Sequence, residues 1–375
     1  MKTLKFKLYS HKRNRLLAHT INVSGIIWNH CIALHRRYYR RFKKHLSSAK
    51  LKSHIAKLRR RISWWQVVGS QAVQDIIERI DKAYQAFFKK VRKGVRPPQF
   101  KKVKGYKSFT LKQAGYKVLN GGRIKIGKRV YQYWNSREIE GTVKTVTVKR
   151  TPLGEYFMSV VVQVESEPII KFESGKAAGF DFGLKTFLSC SESGWNIECP
   201  EFFKASLNEL RKASKLLSSK VKGSNSWEKA RLNLNRKHEK IVNQRRDWFW
   251  KLAHKLTDEF DVLCFETLNL DGMKRLWGRK VSDLAFGEFI QILEWVAKKK
   301  GKTVTFIDQW YPSSKTCAGC GHVHSSLKLE DRRWRCPSCH SENDRDHNAA
   351  LNIKRVGIST LGLGDVRQVS ACNPC

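Results

Sequence analysis

Two cysteine pairs and a short acidic run lie close together in this sequence: Cys317–Cys320 reads CAGC, Cys336–Cys339 reads CPSC and Asp344–Ala350 reads DRDHNAA. The pairs are separated by 15 residues, so four of the ten cysteines fall within 23 residues. This spacing is typical of a zinc ribbon, because each short turn directs two thiolates at one point and four thiolates complete a tetrahedron. Two disulfides are the alternative. The spacing favours Zn²⁺ held by Cys317, Cys320, Cys336 and Cys339.

The composition predicts a globular protein with more than one domain. The chain has 375 residues, of which 41% are hydrophobic and 28% charged, and this length suits two or three domains. No run of 18 apolar residues is present, and the N-terminus lacks an apolar segment long enough for a signal peptide. We therefore expect a protein of the reducing cytoplasm, with no membrane partner.

The net charge points to a polyanionic partner. Lys and Arg number 74 and Asp and Glu number 32, which gives +42 at pH 7. The positive residues occur in almost every segment, so they predict several surfaces or a channel for a long nucleic acid. A membrane surface is the rival polyanion, but the sequence has no strongly amphipathic basic terminal helix and no lipidation motif.

The first half of the chain changes pattern twice. Leu4 to Tyr9 alternate apolar and polar residues, which predicts a strand. A helical pattern follows from about Lys12 to Lys93 and ends before Pro97. The stretch from Phe100 to Glu165 predicts several strands that form a small β-barrel. Since the first strand has no neighbour of its own, we assign it to this barrel, which makes the helical region an insertion.

From Gly175 onward, strands and helices alternate. The predicted helices are 202–220, 226–260, 281–299 and 348–355, and the predicted strands include 261–266 and 303–308. Asp181 lies between two phenylalanines on a short apolar strand, Glu266 ends a strand, and Asp346 lies at the first turn of the last helix. A buried carboxylate is costly unless it binds something. A solvated hairpin aspartate is the alternative for Asp181.

Three carboxylates at two strand ends and a helix start suit a two-metal phosphodiester nuclease. Two Mg²⁺ ions require hard oxygen ligands, so that one ion activates water and the other stabilises the leaving oxygen. Asp181, Glu266 and Asp346 are separated by 85 and 80 residues, so the site would exist only in the folded domain. Three scattered structural acids are the alternative on these residues alone.

Several motifs together resemble a known family. Asp181–Lys185 (DFGLK), Phe265–Leu270 (FETLNL), the double C-x2-C and Asp344–Ile353 (DRDHNAALNI) resemble the successive motifs of the transposon-encoded TnpB nucleases. These nucleases are similar to the miniature type V CRISPR effectors. The resemblance implies an RNA-guided DNA endonuclease whose partners are a guide RNA and a double-stranded DNA target, in the cytoplasm of a prokaryote and associated with its nucleoid. It leaves the oligomeric state open.

The resemblance also implies a multidomain α+β fold. One part is an RNase H-like (RuvC) α/β nuclease domain with an inserted zinc ribbon, and the other is a wedge-type β-barrel that carries an inserted helical recognition lobe. The implied divisions are residues 1–10 for the first barrel strand, 11–95 for the helical lobe, 96–172 for the rest of the barrel, 173–312 and 343–356 for the nuclease domain, 313–342 for the ribbon and 357–375 for a mobile tail.

Site residues follow from the matched motifs. Asp181 matches the first catalytic acid, which would bridge two Mg²⁺ ions, Glu266 the second and Asp346 the third. Asp344 matches the outer Asp of its motif and is left out of the active site. The four cysteines match the ligands of a structural zinc. His340 stands where relatives commonly have Gly, which alters the turn but removes no ligand.

Other residues remain less specific. Gln71 and Gln74 are neighbours on one helix face, and glutamine can pair with adenine, so we expect them to read bases together with Ser108 and Thr110. Exposed polar positions are the alternative for these four residues. Cys372 and Cys375 repeat the C-x2-C spacing in the predicted tail and are expected to be free thiols. A transposase-associated protein, or a regulatory nucleic-acid-binding zinc protein without guided cleavage, is the alternative function.

Overall fold

The computed structural model describes residues 1–89, 94–164, 175–269, 283–328 and 330–362, together with residues 272, 273, 275 and 278. The chain divides into two compact units, Met1–Ser166 and Glu167–Cys375. The predicted division between residues 172 and 173 lies outside the described residues. Within the described ranges, no helix is long and apolar enough to cross a membrane.

Within its described residues, the first unit contains seven strands in two antiparallel sheets, with orders β1-β7-β6-β2 and β3-β4-β5. The strands are β1 (Lys2–Lys7), β2 (Ser108–Leu111), β3 (Tyr116–Leu119), β4 (Arg123–Ile126), β5 (Arg129–Gln132), β6 (Thr142–Arg150) and β7 (Tyr156–Gln163). An isolated bridge between Leu8 and Tyr133 joins the sheets just after β1. Among the described residues no ladder connects β2 to β3, but the Tyr116 hydroxyl of β3 donates to the Val143 carbonyl of β6, so the two ends of the strand series approach each other. Closure into a barrel stays a prediction.

The predicted position of β1 is confirmed. Leu4 and Phe6 are buried while Lys5 is exposed, as the alternating pattern requires. Leu4 lies opposite Val160, and Phe6 lies opposite Met158 in β7. The first strand therefore pairs with the last strand of the unit, and the helices between β1 and β2 are an insertion.

The inserted region forms three helices in the part that the structure describes. They are α1 (Asn14–Phe42), α2 (Ser48–Arg61) and α3 (Ser70–Phe88), with short 3-10 turns at Ser63–Val67 and Val103–Gly105. Lys43 ends α1 in the left-handed conformation, with φ 53°, and the side chain of Ser47 accepts a hydrogen bond from the Lys50 N–H at the start of α2. Ala72, Ile76 and Ile80 recur at steps of four residues along α3 and are buried on one face of the helix.

The second unit is built around a five-stranded sheet in the order β10-β9-β8-β11-β12. Its strands are β8 (Ala177–Phe182), β9 (Thr186–Cys190), β10 (Ile197–Glu198), β11 (Val262–Glu266) and β12 (Thr303–Ile307), with a separate hairpin of β13 (Arg333–Arg335) and β14 (Glu342–Asp344). The helices are α4 (Phe202–Ser218), α5 (Asn225–Glu259), α6 (Phe286–Lys300) and α7 (Arg345–Thr360). β8 pairs antiparallel with β9, while β11 runs parallel to both β8 and β12.

One face of the sheet carries a row of aromatic rings. Phe180, Phe265 and Phe306 lie side by side in the register of β8, β11 and β12. The ring centroids of Phe180 and Phe265 are 5.1 Å apart. Both rings belong to a core that includes Phe249 of α5 and Phe289 of α6. Burial of such large rings is the main apolar contribution to this face.

Some predicted bounds in the second unit are wrong. The helix predicted over 281–299 begins at Phe286, after Ala285 in the left-handed conformation, and positions 281 and 282 lie outside the described residues. The last helix runs from Arg345 to Thr360, so residues 357–360, which we assigned to a tail, are helical. Residues 363–375, with Cys372 and Cys375, lie outside the described residues. β3, β5, β10, β13 and β14 were not predicted.

A buried histidine lies inside the helical region of the first unit. The ring of His35 stacks on Tyr84 with centroids 4.5 Å apart, and the ring of His45 lies 5.0 Å away. Burial, together with the charge of His45, lowers the pKa of His35 to about 4, although Asp81 acts in the opposite direction. His35 is therefore neutral in the folded protein at pH values where an exposed histidine is protonated.

This difference predicts a loss of stability in acid. The unfolded chain protonates His35 below pH 6.5 and the folded chain only near pH 4, so the unfolded state gains protons first and unfolding becomes easier as the pH falls through this window. We expect His35 to account for up to roughly 3 kcal/mol of lost unfolding free energy. Chemical denaturation of the full chain at both ends of the window would measure it. His35→Leu should flatten the dependence of the unfolding free energy on pH. His19→Leu, at an exposed position of the same helix, is the control and should not flatten it. Equal pH profiles for the two variants would contradict the assignment.

Candidate functional site

Helix α7 packs against the second face of the central sheet. Gly179, Cys264 and Thr305 lie in register across β8, β11 and β12, on the face opposite the phenylalanine row. The helix presents Gly357 to this row. A methyl group placed on Gly357 would lie 2.6 Å from the Cys264 Sγ atom and 3.2 Å from the Thr305 Cγ2 atom. Glycine is unfavourable inside a helix by about 1 kcal/mol relative to alanine, so close packing explains its presence here.

The main chains of the helix and the sheet approach each other closely at Gly179. A methyl group on Gly179 would overlap the Ala350 carbonyl oxygen and lie 2.5 Å from the Lys354 backbone nitrogen. Both are main-chain atoms, which cannot move aside as a flexible side chain could. The His347 ring adds a contact to the next strand, with Nδ1 3.1 Å from the Cys190 carbonyl oxygen. These contacts fix how far α7 lies from β8.

The three predicted acids are brought to one edge of this face. Asp181 is two residues after Gly179 and Glu266 is two residues after Cys264, so strand alternation places both side chains on the α7 face. They lie at the carboxyl ends of two parallel neighbouring strands. Asp346 lies in the first turn of α7.

The electrostatics of Asp181 reflect this arrangement. Burial raises its pKa well above the usual range, and the charges of Glu266 and Asp346 raise it further. The guanidinium of Arg345 and the Phe182 N–H act in the opposite direction. Burial also raises the pKa of Glu266. Negative charge at this edge is therefore only partly compensated by the protein itself, which is the condition that a bound cation relieves.

The start of α7 separates the roles of its two aspartates. The Asp344 carboxylate caps the helix by accepting hydrogen bonds from the backbone N–H groups of Asp346 and His347, at 3.1 and 3.0 Å. The Asp346 carboxylate instead accepts from Arg332 Nη1, at 3.1 and 3.4 Å. Asp344 thus has a structural role as the cap of α7, and its omission from the active site stays a prediction.

The four predicted cysteines form a compact cluster. Within the part of the chain that the structure describes, their sulfurs are the only set of three or more His, Cys, Asp or Glu ligand atoms that all lie within 4.8 Å of one another. The sulfurs of Cys317 and Cys339 are 3.7 Å apart, and those of Cys320 and Cys336 are 3.6 Å apart. Asp181, Glu266 and Asp346 interact electrostatically but do not approach to this spacing.

Asparagine side chains connect the cysteine cluster to α7. The Asn348 amide donates to the Thr316 carbonyl at 2.7 Å, and its oxygen accepts from the Ala318 N–H at 2.8 Å. One helical turn later, the Asn352 amide donates to the carbonyls of Ser313 and Thr316, at 2.9 and 2.6 Å. Both asparagines are buried. The first cysteine pair is therefore attached to the helix that carries Asp346.

His340 adopts the backbone conformation that glycine prefers. Its φ is 61°, in the left-handed region, directly after the second cysteine pair. Its N–H donates to the Cys336 carbonyl at 2.9 Å, which closes the turn. The turn that we expected His340 to alter is thus still closed, although a residue with a side chain adopts this conformation less readily than glycine.

The four residues predicted to read bases have different environments. Gln74 is exposed and Gln71 half-buried, both on α3. Thr110 is buried, and its hydroxyl lies 2.9 Å from the Thr147 hydroxyl and accepts a hydrogen bond from Arg79. Ser108 lies 3.5 Å from the same guanidinium. The two hydroxyls are therefore engaged within the unit, and the base-reading role of all four residues stays a prediction.

The sequence reading missed three residues at the acidic edge. Arg332 pairs with Asp346. The buried Arg345 donates to the Lys328 carbonyl and the Ser314 hydroxyl, and its charge lowers the pKa of Asp181. Trp310 follows β12 at the same edge and is 81% exposed. An exposed indole can stack on an unpaired base. Trp310 could have been found from the sequence, because it follows a predicted strand and the carboxyl ends of parallel strands meet at one edge of a sheet.

Two family models match the chain. Residues 159–276 match a model described as "Probable transposase", and residues 286–353 match one described as "Cas12f1-like, TNB domain". The first covers the strands that carry Asp181 and Glu266. The second covers the cysteine cluster and the start of α7.

Whole-chain relatives agree with these matches. The chain is 30% identical over 304 residues to a Streptomyces pristinaespiralis protein named "Putative RNA-guided DNA endonuclease", which covers 80% of this chain and 74% of the relative. It is 26% identical over 363 residues to "Putative RNA-guided DNA endonuclease InsQ" of Escherichia coli K12, covering 91% and 88% of the two chains.

Two solved structures share the fold. The structure of a Cas12f1–sgRNA–target DNA complex matches with a TM-score of 0.56 and 14% identity over 92% of this chain and 83% of that one. The mini-RNA-guided endonuclease Cas_phi3 matches with a TM-score of 0.50 and 10% identity over 95% and 92%. The fold is therefore a mixed α+β multidomain architecture, as predicted in its coarse form.

The contact at Gly179 yields a test of how α7 is positioned. Alanine normally suits a strand interior better than glycine, but here it would force α7 away from β8, so Gly179→Ala should lower the unfolding free energy by about 1–3 kcal/mol. Chemical denaturation would measure the change. Gly105→Ala is the matched control, because the nearest atom to its added methyl group is the Lys102 Cβ atom at an ordinary 3.7 Å. An unchanged stability for Gly179→Ala would contradict the described packing.

Proposed function

We propose, from the premise that this chain belongs to the TnpB family, that it is an RNA-guided DNA endonuclease that cleaves targets complementary to a guide RNA beside a short adjacent motif. The observation that carries the proposal is the meeting of Asp181, Glu266 and Asp346 at one sheet edge. The chain's relatives named as RNA-guided DNA endonucleases support it over most of their length. A net charge of +42 suits two polyanionic partners, an RNA and a DNA duplex.

The three acids are the proposed ligands of two Mg²⁺ ions. Carboxylate oxygens are the ligands that Mg²⁺ prefers. Burial raises the pKa of Asp181, the charges of Glu266 and Asp346 raise it further, and a divalent cation bound between the three acids would relieve this repulsion. When bound, two such ions activate a water molecule and stabilise the leaving oxygen of the phosphodiester. In this structure Arg332 supplies the countercharge to Asp346.

The protein's part of this mechanism is positioning. Asp181 and Glu266 are held on adjacent parallel strands, so their separation is set by the sheet. Asp346 is held at the same edge by the packing of α7, and the cap at Asp344 fixes the turn from which it projects. A site on rigid elements meets the tight geometric requirement of an in-line displacement.

The four cysteines are the proposed ligands of a structural Zn²⁺. A tetrahedral site with Zn–S bonds of about 2.3 Å has sulfur-to-sulfur distances of about 3.8 Å. The 3.7 and 3.6 Å separations of the two sulfur pairs fit this geometry. Burial raises the pKa of the Cys317 thiol. Hydrogen bonds from Ser341 and from the N–H groups of Cys320 and Gly319 outweigh this effect and lower that pKa to about 6, which favours the ligating thiolate.

We further assign the finer fold terms that the family implies. The sheet with the order β10-β9-β8-β11-β12, together with α7, would be the RNase H-like (RuvC) nuclease core, and the cysteine segment would be its inserted zinc ribbon. The strands of the first unit would be the wedge and its helices the recognition lobe. In RNA-guided systems base pairing selects the target, while the protein reads a short adjacent motif. We keep Gln71, Gln74, Ser108 and Thr110 as candidates for that reading and place the activity in a prokaryotic cytoplasm.

One experiment separates this function from its alternatives. The protein would be purified with its co-purifying RNA, the RNA sequenced, and a plasmid carrying a complementary site supplied. Mg²⁺-dependent double-strand cleavage that is lost in Asp181→Ala supports the proposal. Binding without cleavage by the unaltered protein would favour a regulatory zinc protein, and cleavage by an RNA-free preparation would refute guidance.

The two aspartates at the start of α7 provide a matched pair of variants. Asp346→Ala should retain RNA and target binding but reduce cleavage by roughly a hundredfold or more, because loss of a direct metal ligand should exceed the effect of losing an outer partner. Asp344→Asn should cleave almost normally, since asparagine caps a helix as well as aspartate does. Plasmid cleavage rates measure both. Normal cutting by Asp346→Ala would show that the third acid is wrongly assigned.

The zinc assignment is tested by metal content. The unaltered protein should carry about one zinc ion per chain, and Cys336→Ser should lose it, because three thiolates no longer complete the tetrahedron. Through the asparagine contacts to α7, the same variant should also show impaired folding or impaired loading onto DNA. Ser338→Ala, within the same cysteine pair, is the control and should keep its zinc. Full zinc retention in Cys336→Ser would overturn the ligand set.

A further inference from the structure

A cavity of about 340 Å³ opens between the C-terminal part of α1 and the start of α2 in the first unit. Its aliphatic lining residues are Leu34, Leu46 and Leu51. Leu51 is buried, and the other two leucines are half-buried. The cavity is far from Asp181 in sequence and belongs to a different compact unit. None of the roles assigned above uses it.

The cavity is also lined by positive charge. Arg37, Arg41 and Lys50 line it together with His54, and no acidic side chain does. Within the described residues, none of these four side chains forms an ion pair. Elsewhere in the same unit cations are paired, as Lys52 is with Glu78 at 2.9 Å. Three permanent positive charges around one opening attract an anionic group.

Aromatic rings complete the lining. Tyr38 and Phe42 both line the cavity, with ring centroids 4.7 Å apart. Phe42 is 50% exposed although it is a large apolar side chain. The guanidinium carbon of Arg41 lies 5.6 Å from the centre of its ring. An exposed ring beside unpaired cations is the combination that binds a base and its phosphate together.

We infer that this cavity binds a single unpaired nucleotide of an RNA, with the base against Tyr38 and Phe42 and the adjoining phosphates at Arg37, Arg41 and Lys50. The volume lies at the lower end of ordinary ligand pockets, roughly 300–1,000 Å³, which suits one nucleotide rather than a duplex. Folded RNA already presents bases splayed out from loops and bulges, whereas duplex DNA would have to unstack one. The inference deepens the proposed function, since it assumes that RNA is a partner.

The test uses the full chain, freed of co-purifying RNA, in the absence of Mg²⁺. The probe is a fluorescein-labelled RNA hairpin with one bulged nucleotide, compared by anisotropy with the same hairpin in which that nucleotide is abasic. Base stacking should make the bulged probe bind roughly fivefold or more tightly than the abasic one. Phe42→Ala should abolish this preference. Arg37→Ala should weaken binding of both probes while leaving a preference between them.

Matched controls make the outcome decisive. Tyr39→Ala removes an aromatic ring that is 52% exposed on the same helix but does not line the cavity, and it should leave the preference intact. Circular dichroism would establish that each variant is folded. An unaltered preference in Phe42→Ala, or equal binding of the two probes by the unaltered protein, would overturn the inference. The same preference for a bulged DNA hairpin would overturn the choice of RNA.

The measurement is independent of cleavage. Asp181→Ala should show the same preference for the bulged RNA as the unaltered protein, because Asp181 lies in the other unit. If the protein proves not to cleave DNA while the preference and its loss in Phe42→Ala are observed, the cavity assignment stands and the nuclease proposal fails. If the protein cleaves DNA but shows no preference for the bulged RNA, the nuclease proposal stands and the cavity assignment fails.

Discussion

The distance between helix α7 and strand β8 is the constraint on which the second unit depends. At Gly179 two main chains meet with no room for a side chain, and at Gly357 the helix lies directly on Cys264. Main-chain contacts of this kind are stiff, because neither partner has a rotamer to change. The helix therefore has one position on the sheet. Since Asp346 belongs to that helix and Asp181 to that strand, a packing contact sets the geometry of the candidate site.

The cysteine cluster extends this constraint beyond the sheet. Asn348 and Asn352 bind the backbone of the segment that leads into Cys317, so the cluster and the helix form one hydrogen-bonded assembly. A buried amide without a hydrogen-bond partner lowers the stability of the fold, whereas a fully paired amide specifies one arrangement of its neighbours. The DRDHNAA sequence thus has three roles at the start of α7. It caps the helix, supplies an acid and attaches the cysteine segment.

Local sequence patterns predicted the elements well where hydrophobic periodicity was strong. The alternation of Leu4 and Phe6 identified β1, and the lack of a neighbouring strand assigned it to a later sheet. The apolar runs around Asp181 and Glu266 identified β8 and β11. Alternation even determines that both acids share one face once the strands are paired. That pairing joins residues more than 80 positions apart and is not encoded in any local pattern. The short strands β3 and β5 were missed because they carry few buried residues. The partner of Asp346, Arg332, comes from a loop without periodicity.

The distribution of the three acids along the chain also has a consequence during protein synthesis. Asp181 and Glu266 can meet when the central strands have paired, but Asp346 follows the cysteine segment in the chain and is translated after it. Domains form as their residues leave the ribosome, so a nascent or prematurely terminated product holds two acids without the third. Under the proposed function, incomplete copies of this protein would be unable to damage the genome of the cell that makes them.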